Sequence, residues 1–450
     1  MHTVVLAAGL FVFVAHLLEV FFERTRIPDI LLLMVLGLLV GPILGLLDVE
    51  KDLGQVGPFL AIVTLAVILF ESGLGLQLKT LFRSAGRSAP FSLISMLFAI
   101  ACLTVALRYL MAMDWWTALL GGLIMGGTSS AVVIPMIKAL DLGEDTGTVL
   151  TVESTLTDVF CIIGTVGVAV SLAAGVTPKA PALLGTVVFS LVAAALIGAA
   201  AGLFWSMLLS QADRISNTMF TTMAGALVVY GFCEQMEVSG AIATLSFGIA
   251  LGNLPRGVMM RVDRGADEAP IKLKLREVKR VERAVYAESV FLLKAAFFFY
   301  LGMTVDPRQF FSLFGLIAFL LALVPFVPRY PSVRMLLSPA TTSRRDALLA
   351  TVLVPRGLAA AVLAQVPVQL LGKELAKGET EALLAMKLAA DNLADVVAMM
   401  VFFSIAIVSL MVFLVERGTL ASLGDRAFRP YSADANPQPT SQDTAPPTDP

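Results

Sequence analysis

Apolar stretches of about 20 residues recur along most of this chain, and a helix of that length crosses a hydrocarbon core of about 30 Å. Thirteen such segments are read, at roughly residues 3–22, 29–47, 57–77, 90–110, 115–138, 148–173, 182–209, 216–233, 238–253, 284–303, 309–328, 346–370 and 393–415. The expected fold is an all-α polytopic membrane protein of about 13 transmembrane helices. Composition agrees: 58% of residues are hydrophobic and 15% charged, whereas a soluble domain carries about 45–50% apolar and about 25% charged residues. The N-terminal run Thr3–Phe22 has no basic n-region and is too long for a signal-peptide core, so it reads as the first membrane helix. Cys102, Cys161 and Cys233 lie far apart in apolar segments without metal spacing, as small buried hydrophobes do.

The membrane domain is expected over residues 1–415, interrupted by a basic connector at 255–283. Residues 416–450 form a tail, rich in Pro, Ser, Thr, Asp and Gln from about 430 and expected to be disordered from there. With the N-terminus outside, the loops on the cytoplasmic side hold 23 Lys and Arg and the opposite loops seven. That asymmetry predicts an outer N-terminus and a cytoplasmic C-terminus. In the connector, Ala269–Val285 mixes basic residues with Ile, Leu and Val. It reads equally as an amphipathic helix on the membrane surface or as a solvated link between two halves.

Four ionisable residues fall inside spans: Glu153 and Asp158 in the sixth, Lys294 in the tenth and Arg356 in the twelfth. A charge near the bilayer centre costs about 2.5–3.5 kcal/mol even on lenient scales, so such groups have partners and usually a function. Ser154 and Asp158 are four residues apart and share a helix face, so a hydroxyl and a carboxylate can converge on one monovalent cation. Glu153 lies about 140° around the axis from Asp158, which separates their roles. Asp158 is expected to carry ion and proton, and Glu153 to form a structural ion pair with Arg356.

Gly126-Gly127-Thr128-Ser129-Ser130 interrupts the fifth span, and Val354-Pro355-Arg356-Gly357 interrupts the twelfth. Interruptions seven spans apart predict inverted repeats whose two broken helices cross at the midplane. The same offset makes Asp395 in the thirteenth span the counterpart of Asp158. Unwound backbone there exposes carbonyls to a cation, and half-helix dipoles call for compensating charge.

These residues resemble the monovalent cation:proton antiporter superfamily. The likeness is carried by Arg26-Ile27-Pro28 leading into Leu36-Gly37-Leu38-Leu39-Val40-Gly41-Pro42, and by Phe70-Glu71-Ser72-Gly73-Leu74. Glu153-Ser154 through Thr157-Asp158, Phe297–Met303 and Pro355-Arg356-Gly357-Leu358 complete it. The similarity runs from about residue 5 to 415. It implies a homodimer of scaffold and mobile core domains in a cell inner membrane or plasma membrane, exchanging Na+ or K+ for H+ by elevator-like alternating access. It implies no cofactor beyond the transported ions, no enzymatic reaction and no nucleic-acid partner. Asp158 matches the family's essential carboxylate, Ser154 and Thr128 match cation-coordinating positions, and Glu153 with Arg356 matches a structural ion pair. Thr157 stands where many electroneutral members have Asn and many electrogenic ones a second Asp, which favours one-for-one exchange. Lys294 matches the lysine that electrogenic members place opposite that Asp, so both stoichiometries stay open.

A bare carboxylate anion is penalised in the bilayer, so only a protonated or cation-bound Asp158 crosses cheaply, and the two fluxes are coupled without ATP. A channel would need a repeated filter or a ring of like residues, which the sequence lacks. A sodium-coupled symporter of a small organic anion is the main rival, since broken helices suit it as well.

Overall fold

The computed structural model describes residues 2–25, 29–47, 56–75, 78–173, 180–211, 218–236, 238–253, 280–339, 342–376 and 381–431. Among the described residues the regular structure is almost entirely helical, as the apolar pattern requires. The first helices are α1 (His2–Thr25), α2 (Asp29–Leu38, continued by a π-helical turn at Leu39–Ile43), α3 (Val56–Gly75) and α4 (Leu78–Leu110). They are followed by α5 (Trp115–Gly126), α6 (Ser130–Ala139), α7 (Glu144–Ala173), α8 (Ala180–Gln211), α9 (Thr218–Gln235) and α10 (Gly240–Gly252). The second half contains α11 (Arg280–Thr304), α12 (Leu313–Leu323), α13 (Phe326–Leu336), α14 (Arg344–Val352) and α15 (Leu358–Leu363). It closes with α16 (Gln365–Leu375), α17 (Glu381–Glu416) and the short α18 (Ala421–Ala427). Among the described residues, five stretches are long and apolar enough to cross a membrane, including Glu144–Ala173 and Leu383–Glu416, and there are shorter apolar helices besides.

The helices form two bodies. In one, α10 packs against α3, α8 and α9, while α11 packs against α2 and α3. In the other, α4 and α5 pack on α7, α13 lies on α4, and α12, α14 and α16 lie on α17. Glycine permits the tightest contacts of the first body: a Cβ on Gly302 would stand 2.1 Å from the Met34 carbonyl oxygen, and one on Gly37 2.0 Å from that of Phe299. Lipid offers no hydrophobic drive for helices to associate, so such backbone proximity is how they gain contact.

One expectation about the end of an element is corrected. The eleventh span continues past residue 328: α12 and α13 run on to Leu336, so Arg329 lies buried within a helix instead of in a cytoplasmic loop. Beyond α17 the chain folds back on α13 and α14 as far as Tyr431. Phe428 and Tyr431 are buried with their rings edge to face, and the Tyr431 hydroxyl donates toward the Val333 and Leu337 carbonyls at the end of α13. Arg344 answers from α14, donating to the Tyr431 carbonyl and pairing with Asp425. Residues 432–450, and the proposed surface helix up to α11, lie outside the described residues.

Candidate ion-binding site

Both interruptions read from the sequence are breaks, and they meet. Gly127–Ser129 separates α5 from α6, and Leu353–Gly357 separates α14 from α15. The Ser129 amide donates to the Pro355 carbonyl at 2.9 Å, which stitches one break to the other across more than 220 residues of chain. Four helix ends therefore converge, two with unmatched carbonyls and two with unmatched amides. Each polarity meets a charge. Arg356 donates to the Gly127 carbonyl at 2.6 Å, at the C-terminal end of α5. Asp158 faces the N-terminal end of α6, where its Oδ2 accepts from the Ser130 hydroxyl at 2.6 Å and the Ser130 amide at 3.3 Å. Opposite charges at opposite half-helix ends are the electrostatically favoured arrangement.

Ser130 also lines a cavity of about 630 Å³ between the two bodies. Its walls include Glu71 and Ser72 of α3, Lys294 of α11, and Glu144, Thr148, Thr151 and Thr155 of α7. Asp158 is thus bonded to a residue at the inner end of a space large enough for ions and water.

The ion pair of Glu153 is not the one expected from the sequence. Arg329, not Arg356, grips Glu153: Nη1 and Nη2 reach one carboxylate oxygen each, the second at 2.8 Å. Arg329 spends its other donors on Ser95 Oγ (3.0 Å) and the Ala350 carbonyl (2.8 Å), and its guanidinium lies over the Phe91 ring at 4.8 Å. The planar fork of arginine suits such two-oxygen binding, and the remaining bonds satisfy the buried charge. Arg356 is equally buried but is held by the breaks: besides Gly127 it donates to Thr128 Oγ1 at 3.2 Å, and its own amide donates to Ser404 Oγ. It is close enough to act electrostatically on both Asp158 and Glu153.

The other expected site residues separate into two groups. Thr128 and Thr157 brace the break: the Thr128 amide donates to Thr157 Oγ1 at 3.1 Å, and the Thr128 hydroxyl lies 3.5 Å from Glu153 Oε1. Ser154 shares the helix with Asp158, but its hydroxyl donates backward to the Thr151 carbonyl. The hydroxyl that reaches Asp158 comes from Ser130 on the broken helix, and Glu71 joins the site from α3. Lys294 lies across the cavity, where its charge also acts on Asp29. Asp395 is exposed on α17.

A family of transmembrane sodium/hydrogen exchangers matches residues 9–416, nearly the whole membrane region. The chain belongs to that family. Among similar exchangers, the K(+)/H(+) antiporter NhaP2 of Shewanella oneidensis is 24% identical over 257 residues, 56% of this chain and 44% of that protein. The Na(+)/H(+) antiporter ApNhaP of Aphanothece halophytica is 26% identical over 262 residues, 56% of this chain and 47% of that protein. The matched stretch therefore spans under half the length of either relative. The sodium proton antiporter MjNhaP1 from Methanocaldococcus jannaschii has a similar fold, with a TM-score of 0.67 at 18% identity over 94% of this chain and 98% of that one. The chain accordingly has the all-helical, multi-pass membrane fold that its sequence predicts.

Proposed function

We propose that this exchanger moves a monovalent cation, Na+ or K+, against H+ by alternating access, with Asp158 as the shared carrier. One observation supports the reading most: Asp158 is anchored to the N-terminal end of a broken helix whose first residue, Ser130, opens onto a cavity that also holds Glu71, Glu144 and Lys294. A carboxylate so placed accepts a proton or a small cation from water, while the helix end and Arg356 hold its position. The bare anion is costly to carry through an apolar barrier, so the loaded forms move and the empty one stays. Relatives named for both K+ and Na+ support keeping both ions in the proposal.

In this reading the N-terminus is outside and the cavity opens to the cytoplasm of a cell inner or plasma membrane. The transported ions are the only ligands required, and two copies act as a dimer. Thr157 supports one-for-one exchange, because its hydroxyl is committed to the Thr128 amide and the Ser154 carbonyl and supplies no second carboxylate. Ser130, Thr128 and Ser154 supply oxygen atoms around the ion, and Lys294 balances charge in the cavity.

The test is exchange in proteoliposomes with each alkali cation, with and without a clamped membrane potential. Asp158→Asn is expected to abolish cation-driven proton movement while the protein still folds and inserts. Exchange at the wild-type rate by that variant would falsify the proposal.

A further inference from the structure

The cavity wall on α7 has an order that the carrier role of Asp158 does not use. Glu144, Thr148, Thr151 and Thr155 all line the cavity, and their spacing of four, three and four residues continues by three more to Asp158. At about 100° per residue these five side chains stay within an arc of about 80°, and they climb about 21 Å along the helix. The direction of the hydroxyl hydrogens matters more than their number. Thr151 donates its hydrogen to the Gly147 carbonyl at 2.7 Å, and Thr155 donates to the Thr151 carbonyl at 2.8 Å. A threonine hydroxyl has one hydrogen and two lone pairs. With the hydrogen committed to the helix, the oxygens offer the cavity acceptors only. Acceptor oxygens ligate a cation and give an anion nothing to bind.

We propose that Thr148, Thr151 and Thr155 form a staging site for a partly hydrated alkali cation, about one to three helical turns below Asp158. Glu144, exposed at the first turn of α7, draws cations to the mouth of the cavity. The staged ion exchanges some of its water for hydroxyl oxygens before Asp158 takes it. The site selects by charge, and it serves the cytoplasmic side alone. This rests on the exchange reading above for its transport consequences, but occupancy of the site does not depend on it.

Valine keeps the volume and β-branching of threonine and removes the oxygen, so Thr151→Val and Thr155→Val test the ladder without opening a cavity. In everted membrane vesicles, where the cation meets the cytoplasmic face, each is expected to raise the half-saturating cation concentration about fivefold, the worth of one neutral ligand bond. The maximal rate at saturation should stay near wild type, and Thr155→Ser should restore wild-type saturation. Unchanged half-saturation, or a fall in maximal rate alone, would overturn the proposal. Binding is read separately by thermal melting of the purified protein. Asp158→Asn should keep a weak cation-dependent rise in Tm, and Asp158→Asn with Thr151→Val and Thr155→Val should lose it. No such rise in Asp158→Asn refutes the staging site. A cation-dependent rise in a wild-type protein that performs no exchange refutes the transport reading instead.

Discussion

Arg329 reaches across 176 residues of sequence to hold both oxygens of Glu153, at a point where neither residue touches water. The pair joins α13 to α7, and α7 is the helix that carries Asp158. Its role is to fix where that helix sits, about one turn before Asp158.

Removing either partner leaves a buried charge alone. Arg329→Gln and Glu153→Gln are each expected to destabilise the protein by about 3–5 kcal/mol, the usual cost of breaking a buried pair from one side. Thermal melting in detergent checks this. The double variant should melt above either single one, because it strands no charge; additive losses would show that the two groups act independently.

Ser130→Ala removes the closest hydrogen bond to Asp158 without touching the Glu153–Arg329 pair. The expected outcome is a half-saturating cation concentration higher by about tenfold or more at nearly unchanged Tm, since a hydrogen bond to a charged group is worth about 1.5–3 kcal/mol. Ser130→Thr, which keeps the hydroxyl, should stay near wild type. A drop in Tm with intact saturation would reassign Ser130 to structure.

In the proposed exchange, competition for one carboxylate sets the pH dependence. As pH falls, more Asp158 holds a proton, so more cation is needed to displace it. Across the acidic limb the half-saturating cation concentration should rise about tenfold per pH unit, and it should level off once the proton has left. Initial rates over a matrix of cation concentration and pH measure it. A half-saturation independent of pH would mean that cation and proton bind at different places.

Gly302 faces the Met34 carbonyl with no room for a Cβ, and backbone on both sides prevents either helix from yielding by a rotamer change. Gly302→Val is expected to cost about 1–3 kcal/mol through forced separation of α2 and α11. Loss of expression or a lower Tm reports it. Gly9→Val, at a glycine with open space around it, serves as the neutral control.

The sequence reveals the two breaks and the buried carboxylate for the same reason: glycine, proline and charge are conspicuous against an apolar background. Their meeting could be read too, because matched interruptions in two halves have to be satisfied by something. Arg329 was hidden by its neighbours. The stretch Phe326–Leu336 contains two prolines and two arginines and reads as the end of a span followed by a loop. Helical continuity past Pro328 turns the same residue inward. Ser154 drew the eye because four-residue spacing is visible within one helix. Ser130 required knowing how the chain turns at the break, which depends on Pro355 arriving from the other half.

The hydrogen bond between the Ser129 amide and the Pro355 carbonyl has a kinetic meaning. In the proposed exchange cycle, two interruptions fastened to each other are expected to move together, so the oxygens around Asp158 keep their mutual spacing whichever compartment the site faces. What changes during a cycle is then the water bordering the cage, and the cage itself behaves as cargo hold rather than gate. Affinity measured from the two sides should be alike, and any asymmetry between them would originate in the corridors that lead to it.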